Sequence, residues 1–214
     1  METVTQKTLY LARVQRHGEE AVKKLQNACV GIAGLGGLGS HIAISLARMG
    51  VGKLVLADFD RVDVTNLHRQ HYFVDQIGCL KTEALADTLR KIDPWIQLEL
   101  YPVRLTPENI PTIFGSCPIL CEAFDKAEEK AMLLETALAE LPHITVVSGS
   151  GMAGAGSANE VQTRKAMKRL YVCGDGKTDV AEYGSLFASR VAVCASHQAH
   201  MVLRLLLGED DSAL

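Results

Sequence analysis

The chain alternates between two patterns of hydrophobic and polar residues. Short apolar runs rich in β-prone residues lie at residues 29–33, 53–58, 96–101, 118–125 and 144–148. The stretches between them carry apolar residues at helical spacing, which predicts clear helices over residues 81–92 and 126–140. Strands that alternate with helices predict an α/β fold with a Rossmann-like, doubly wound and mainly parallel sheet.

The two ends of the chain extend this pattern. Residues 8–28 follow roughly helical spacing and predict one or two helices ahead of the first strand. Residues 161–173 predict two short strands joined by a basic turn, which adds an antiparallel portion on the C-terminal side. A polar loop follows over residues 174–186, and residues 189–207 predict a closing helix that Gly208 can cap.

The first strand runs directly into a cluster of glycines. Gly34, Gly36 and Gly39 have the spacing G-x-G-x-x-G, and Gly37 lies among them. Glycine is needed here because the turn is tight and a side chain would hold an anion away from the backbone. The following helix offers unpaired N–H groups and a positive dipole end. This strand–turn–helix is typical of a nucleotide-binding βαβ unit.

Polar side chains follow the second strand. Asp58 ends it about twenty residues past the glycines, where ribose hydroxyls are usually held, and Asp60 alternates off the strand end. Asn66 and Arg69 lie three apart, so one helical turn puts them on the same side. Lys81 opens the next helix, where its charge opposes the helix dipole and indicates a compensating anion. We expect these side chains to surround a ligand with phosphates and a ribose, either NAD or ATP.

Composition sets the class of protein. The 214 residues are 48% hydrophobic and carry a net charge of −3. We expect residues 1–28 to form an N-terminal helical segment and residues 29–214 to form one nucleotide-binding domain. The charge gives no electrostatic case for nucleic acid or an anionic membrane. No apolar run approaches about 18 residues, and the N-terminus lacks a basic-then-apolar signal, so we expect a cytoplasmic protein.

Several of these motifs together are similar to those of the ThiF/MoeB/HesA family, whose members adenylate ubiquitin-like sulfur-carrier proteins. The resemblance rests on Gly34-Leu-Gly-Gly-Leu-Gly-Ser40, Asp58-Phe-Asp60, Val62, Thr65-Asn66-Leu67-x-Arg69-Gln70, Lys81 and Asp125. It covers nearly the whole chain, and the Asn-Leu-x-Arg-Gln element is its most specific part. The short length and Arg16-His17-Gly18-Glu19-Glu20 are most similar to the compact bacterial ThiF type, whose carrier is ThiS.

The resemblance implies an ATP site in which the glycine loop holds the phosphates. Asp58 would bind the ribose, and Asp60 would be a further polar contact. Asn66, Arg69 and Lys81 would surround the triphosphate, where cations are needed as negative charge builds at the α-phosphorus.

The resemblance also implies a metal ion and a second subunit. Asp125 would hold Mg²⁺, because a hard cation prefers a carboxylate together with phosphate oxygens. In the family, an arginine from the N-terminal helix reaches across a homodimer. Arg16 or Arg13 would serve here, and the sequence leaves both open.

The implied reaction is attack by a carboxylate on the α-phosphate of ATP. The carboxylate belongs to the C-terminal glycine of a small ubiquitin-like carrier ending in Gly-Gly, and the products are an acyl-adenylate and pyrophosphate. Thiamine thiazole biosynthesis is the implied pathway. The alternatives are MoeB-like activation of a molybdopterin or other carrier, an NAD-dependent oxidoreductase, and a non-catalytic scaffold. An oxidoreductase leaves Asn66, Arg69 and Lys81 without a purpose.

Cysteines and histidines add narrower expectations. The six cysteines include no C-x-x-C pair, so we expect free thiols and no zinc, although many relatives carry paired motifs for structural zinc. Cys173 would be the best thiol for a covalent sulfur step, with a buried or merely exposed cysteine as the commoner alternative. His197 and His200 lack an evident third ligand, which favours core or surface histidines. Glu122-x-x-Asp125 stands where many relatives have Asp-x-x-Asp, and it keeps the charge.

Overall fold

The computed structural model describes residues 4–209, which fold around one seven-stranded sheet. The strands are Cys29–Ala33 (β1), Lys53–Ala57 (β2), Gln97–Tyr101 (β3), Ile119–Glu122 (β4), Thr145–Gly149 (β5), Gln162–Met167 (β6) and Leu170–Gly174 (β7). The helices are Gln6–His17 (α1), Glu19–Gln26 (α2), Gly37–Met49 (α3), Lys81–Ile92 (α4), Ile110–Phe114 (α5), Ala127–Glu140 (α6), Val180–Tyr183 (α7) and Ala188–Leu207 (α8).

The sheet has the strand order β3-β2-β1-β4-β5-β7-β6. Every neighbouring pair is parallel except β6 and β7, which are antiparallel. The predicted Rossmann-like sheet with an antiparallel portion near the C-terminus is confirmed. The order reverses between β1 and β4, and doubly wound sheets bind ligands outside the carboxyl ends of the strands at such a point.

The helices cover both faces of the sheet. Strand residues point alternately to the two faces, so neighbours along one strand belong to different cores. Helices α3, α4 and α8 pack on one face, around a core that includes Ile32, Leu56 and Leu85. Helices α5 and α6 pack on the other face, around Phe114 and Leu133. Each such fully buried Leu, Ile or Phe stabilises the fold by about 1.5–3 kcal/mol.

The fourth strand is shorter than the predicted run over residues 118–125. It ends at Glu122, although the N–H of Ala123 still donates to the carbonyl of Ala33 at 2.9 Å. The Glu122 carboxylate then accepts the N–H of Phe124 at 2.8 Å and turns the chain out of the sheet. Asp125 therefore lies in the turn between β4 and α6 and not on the strand.

The first helix is attached through polar contacts, since α1 contains no buried residue. Arg13 donates to Asp93 at 2.7 Å and to the carbonyl of Ala47 at 3.2 Å, and the Arg13 and Asp93 side chains are each 10% exposed. Asp93 and Ala47 lie near the ends of helices that precede β3 and β2. Arg13 is therefore at the edge of the sheet where the strands begin.

Within residues 4–209, every helix is too short or too polar to cross a lipid bilayer.

Replacement of Arg13 by alanine should lower the free energy of unfolding by about 3 kcal/mol, because Asp93 would stay buried without its cation. Lys7 lies on the same helix and is exposed. Lys7→Ala is thus the matched control and should change stability by less than about 0.5 kcal/mol. Urea unfolding measures both, and equal stability of the two variants would contradict a structural role for Arg13.

Candidate functional site

A cavity of about 500 Å³ opens at the carboxyl ends of β1, β2 and β4. This is the point where the strand order reverses. The predicted site residues that line it include Gly36, Asp58, Asn66, Arg69, Lys81 and Asp125. Gly34, Gly37 and Asp60 line it as well. The volume is within the range of about 300–1,000 Å³ that small-molecule sites usually have.

The glycine turn forms one wall of the cavity. Gly34 has φ +87°, which favours glycine, and a Cβ on it would lie 2.9 Å from the carbonyl oxygen of Ala123. A Cβ on Gly39 would lie 1.9 Å from the carbonyl oxygen of Gly34, so Gly39 serves the close packing of α3 against the turn and is not among the lining residues. Gly36 precedes α3 without a side-chain cap, and the first turn of α3 contains no acidic residue. The start of this helix is therefore open to an anion.

Asp58 connects the glycine turn to the end of β2. One carboxylate oxygen accepts the N–H of Leu35 at 2.6 Å, and the other accepts the N–H of Asp60 at 2.8 Å. Burial raises the pKa of Asp58 above its ordinary value, against the opposing effect of the Lys81 ammonium. The carboxylate is thus held rigidly between two loops of the cavity.

Lys81 is a buried ammonium, with the residue only 5% exposed. Its Nζ lies 2.7 Å from Oδ2 of Asp60 and 3.9 Å from Oδ2 of Asp58. The carboxylates of Asp60 and Asp58 therefore supply the compensating negative charge that the position of Lys81 in the first turn of α4 indicated. An ammonium has three N–H donors, and the one given to Asp60 leaves capacity for a ligand in the cavity.

The segment that carries Asn66 and Arg69 is held by its own hydrogen bonds. Asn66 Oδ1 accepts the N–H of Asp63 at 3.0 Å, and Asp63 Oδ1 accepts the N–H of Thr65 at 2.8 Å. Arg69 donates to the carbonyl of Thr65 at 3.1 Å, which keeps the guanidinium beside this turn. Gln70 is buried against the cavity, and its Oε1 has no hydrogen-bond partner among the described residues. This oxygen can accept a hydrogen bond from a ligand in the cavity, a role that the sequence did not indicate for Gln70.

Lys130 is a second lining residue that sequence reasoning missed. Glu122 is fully buried, and Nζ of Lys130 lies 2.9 Å from both of its carboxylate oxygens. The same ammonium donates to the carbonyl of Gly149 at 2.9 Å, and Ser148 also donates to Glu122. The ends of β4 and β5 are thereby tied to α6. A carboxylate that ends an apolar strand, followed by a lysine on the next helix, is the signal that could have indicated this pair.

Asp125 is exposed at the mouth of the cavity, three residues beyond Glu122. Its carboxylate has no hydrogen-bond or ion-pair partner in the described part of the chain. Over residues 4–209, no three His, Cys, Asp or Glu side chains form a ready-made metal cluster. A divalent cation at Asp125 would need oxygen ligands from a bound molecule.

The opposite wall consists of two loops clamped to α8. Asp175 accepts hydrogen bonds from the N–H groups of Lys177 and Thr178, and it pairs with Arg190 at 2.6 Å. Arg190 also donates to the carbonyl of Ser157 at 2.7 Å, so one buried guanidinium joins both loops. Burial favours a raised pKa for Asp175, but these hydrogen bonds outweigh it and hold the pKa well below its ordinary value. Residues 149–153 of the first loop and residues 176–180 of the second line the cavity.

The remaining candidates lie away from the cavity. Arg13 and Arg16 are both on α1, outside the lining. Cys173 is fully buried in β7, and burial raises the pKa of its thiol to about 11, so it is protonated at neutral pH and shielded from solvent. His197 contacts Thr163 at 3.0 Å, and His200 is exposed.

Comparison with known proteins identifies relatives of this chain. Residues 10–214 match the sequence profile of the ThiF family. "Adenylyltransferase and sulfurtransferase MOCS3" of Caenorhabditis briggsae is 34% identical over 140 residues, which are 65% of this chain and 34% of that protein. "tRNA threonylcarbamoyladenosine dehydratase" of Escherichia coli K12 is 31% identical over 156 residues, 72% of this chain and 58% of that protein. The chain thus spans less than two thirds of these curated relatives.

Solved structures share the fold over nearly the whole of this chain. The structure of E. coli tRNA N6-threonylcarbamoyladenosine dehydratase, TcdA, in complex with ATP has a TM-score of 0.85 with 20% sequence identity. The alignment covers 97% of this chain and 98% of that chain. The resemblance to the ThiF/MoeB/HesA family that the motifs indicated is confirmed by the profile match.

Asp175→Asn should destabilise the protein at pH 7 by about 3 kcal/mol, because it removes the charge that faces buried Arg190. The folded pKa of Asp175 is depressed. Its contribution is therefore complete above the unfolded pKa of about 3.9 and is lost as the pH falls through the folded pKa.

The stability difference between wild type and Asp175→Asn should accordingly shrink as the pH falls from about 4 to about 2. Urea unfolding across this pH range measures it. Asp87→Asn, at an exposed carboxylate on α4, is the control and should change stability little at any pH. A wild-type advantage over Asp175→Asn that stays constant down to pH 2 would contradict the clamp.

Proposed function

Because the chain belongs to the ThiF family, we propose that it is an ATP-dependent adenylyltransferase. Its substrate is the C-terminal glycine carboxylate of a ubiquitin-like sulfur carrier. The observation that carries the proposal is that Asn66, Arg69 and Lys81 line one cavity together with the glycine turn and the unpaired carboxylate of Asp125. Hydride transfer requires none of these groups, whereas cations and donors of this kind stabilise the charge of a triphosphate.

The nucleotide would lie along the carboxyl ends of β1 and β2. The glycine turn and the start of α3 receive the phosphates, and Asp58 binds the ribose. Arg69 and Lys81 offset the negative charge that develops at the α-phosphorus. Asp60 is a further polar contact to the nucleotide, and its ion pair with Lys81 orients the ammonium group.

Asp125 would hold Mg²⁺ together with phosphate oxygens of the nucleotide. Its lack of an internal partner leaves the carboxylate free for a cation, which fits the oxygen ligands that Mg²⁺ prefers. When bound, the ion would neutralise charge on the phosphates. Lys130 is committed to Glu122 and acts by positioning: it fixes the turn that presents Asp125.

In the reaction, a carboxylate oxygen of the carrier forms a bond to the α-phosphorus. The bond from that phosphorus to the bridging oxygen of the β-phosphate breaks, and pyrophosphate leaves. No general base is needed, because the attacking carboxylate is already ionised near neutral pH. The protein acts through positioning and charge neutralisation, as in phosphoryl transfer generally.

A homodimer would complete the site with an arginine from the other protomer. Arg13 is unsuited to this role because it is fixed to Asp93 and the carbonyl of Ala47. Arg16 is exposed and only three residues further along α1. We therefore favour Arg16 as the residue that reaches the partner's site.

The proposal leaves more than one candidate for the carrier protein. A ThiS-like carrier in thiamine thiazole synthesis is the choice that the resemblance of Arg16-His17-Gly18-Glu19-Glu20 to the compact ThiF type favours. A molybdopterin or other sulfur carrier is the alternative, and the similarity to the adenylyltransferase and sulfurtransferase MOCS3 is compatible with either carrier. A second candidate function is ATP-dependent dehydration of a threonylcarbamoyl group on tRNA, which the 31% identity to the E. coli dehydratase favours.

One experiment compares these substrates directly. The purified protein is incubated with ATP, Mg²⁺ and either a ThiS-like carrier, a MoaD-like carrier or tRNA that carries threonylcarbamoyladenosine. Intact mass should show one AMP added to a carrier with a Gly-Gly terminus, and the same carrier without its last glycine should stay unmodified. AMP on neither carrier, with loss of water from the tRNA, would establish the second candidate instead.

Carrier-dependent pyrophosphate exchange, measured with the same protein and carrier, tests the roles of individual residues. Arg69→Ala and Asp125→Ala should each slow exchange roughly 100- to 1,000-fold, since a single charge-stabilising group contributes about 3–4 kcal/mol. Arg90→Ala and Asp87→Ala remove the same charges from the exposed surface of α4 and should leave exchange within about twofold. Near-normal exchange by Arg69→Ala or Asp125→Ala would contradict the assigned roles.

A further inference from the structure

Two cysteines lie together at the edge of the sheet opposite the nucleotide cavity. Cys29 is the first residue of β1, and Cys117 comes two residues before β4. The two strands are parallel neighbours, with Val30 opposite Ile119. The Sγ atoms are 3.4 Å apart, although 88 residues separate the two positions in the chain. This is a dithiol that the fold assembles from distant parts of the sequence.

The two thiols differ in access to solvent. Cys117 is fully buried in the core beneath α5 and α6. Cys29 packs against the same core but is partly exposed. A small solute can therefore reach Cys29 first, with Cys117 directly behind it.

The surroundings also separate the two thiols chemically. The hydrogen bond from Cys117 lowers the pKa of Cys29, and the nearby ammonium of Lys53 adds to this effect. Partial burial of Cys29 and the negative charge of Glu99 oppose this lowering without cancelling it. The hydrogen bond to Cys29 and burial both raise the pKa of Cys117. Cys29 is thus the nucleophile of the pair, and Cys117 remains a thiol.

We propose that Cys29 and Cys117 form a redox site that hydrogen peroxide converts to a reversible disulfide between the amino ends of β1 and β4. A thiolate that peroxide can reach, next to a second sulfur, is the arrangement that yields a disulfide before further oxidation of the first sulfur. The proposal is independent of the nucleotide chemistry.

The reaction balances as a two-electron oxidation of sulfur. The Cys29 thiolate attacks one oxygen of the peroxide, so an S–O bond forms, the O–O bond breaks, and hydroxide leaves. The Cys117 sulfur then attacks the Cys29 sulfur, which forms the S–S bond and breaks the S–O bond. The leaving hydroxide takes the Cys117 proton. Overall, two thiols and one peroxide give a disulfide and two waters.

The other four cysteines are unsuited to this reaction. Cys121, Cys173 and Cys194 are buried, and burial raises the pKa of each of them. Cys79 is exposed, but no other cysteine lies within hydrogen-bonding distance of it in residues 4–209. Cys79 therefore provides a matched control: it is accessible to peroxide but has no second sulfur.

The test treats the full-length protein with about one equivalent of hydrogen peroxide and then alkylates it under denaturing conditions. Intact mass should show four alkylated cysteines in place of the six present in the untreated protein. Peptide mapping should place the disulfide between Cys29 and Cys117, and dithiothreitol should restore all six thiols. Closure of so long a loop should also raise the Tm by about 10 °C.

Variants distinguish this site from unspecific oxidation. Cys79→Ser should still form the disulfide, whereas Cys29→Ser should not. Cys117→Ser should leave a sulfenic acid on Cys29 that dimedone traps, and the wild-type peptide map gives the result if this buried variant fails to fold. Six alkylated cysteines after peroxide, or a disulfide that maps to Cys79, would overturn the proposal.

Discussion

The buried carboxylate of Asp58 is the interaction on which the site depends. One of its oxygens holds the glycine turn through the N–H of Leu35, and the other holds the loop after β2 through the N–H of Asp60. A buried carboxylate is costly unless a cation and hydrogen bonds accompany it. This requirement accounts for the burial of Lys81, which starts α4 beside Asp58 and Asp60. The turn, the loop and the helix are positioned together.

Buried ion pairs recur around the cavity, and each of them holds a different wall of the cavity in place. Glu122 and Lys130 connect the ends of β4 and β5 to α6. Asp175 and Arg190 connect the two long loops of the opposite wall to α8. Breaking such a pair is costly because it leaves one charge uncompensated. Loops at the carboxyl ends of the strands are thus kept in place by charge pairs in addition to apolar packing, such as that of Met152 and Leu186 against the core.

The fold could be predicted from the sequence because the patterns that indicate it each span only a few neighbouring residues. Strand and helix periodicities, the glycine spacing and the polar residues after β2 all act over a few positions, and the sheet brings their elements together. Asp58, Asn66 and Arg69 line the cavity because they follow a strand whose carboxyl end must face the point of reversal.

Pairings between distant residues could not be predicted in the same way. Arg13 looked equivalent to Arg16 until the structure placed it against Asp93, 80 residues away. The partners of Lys81 and the contact between Cys29 and Cys117 also depend on which elements become neighbours. Cys173 stayed a candidate for a covalent sulfur step because nothing in its local sequence shows that both faces of β7 are covered.

Polar side chains beyond β2 should converge on a nucleoside triphosphate, and a crystal structure of the protein with ATP would show this. Phosphates should lie at the start of α3, with Arg69 and Lys81 within hydrogen-bonding distance of phosphate oxygens and Asp58 at the ribose. ATP bound in the cavity with Arg69 and Lys81 both directed away from the phosphates would contradict it.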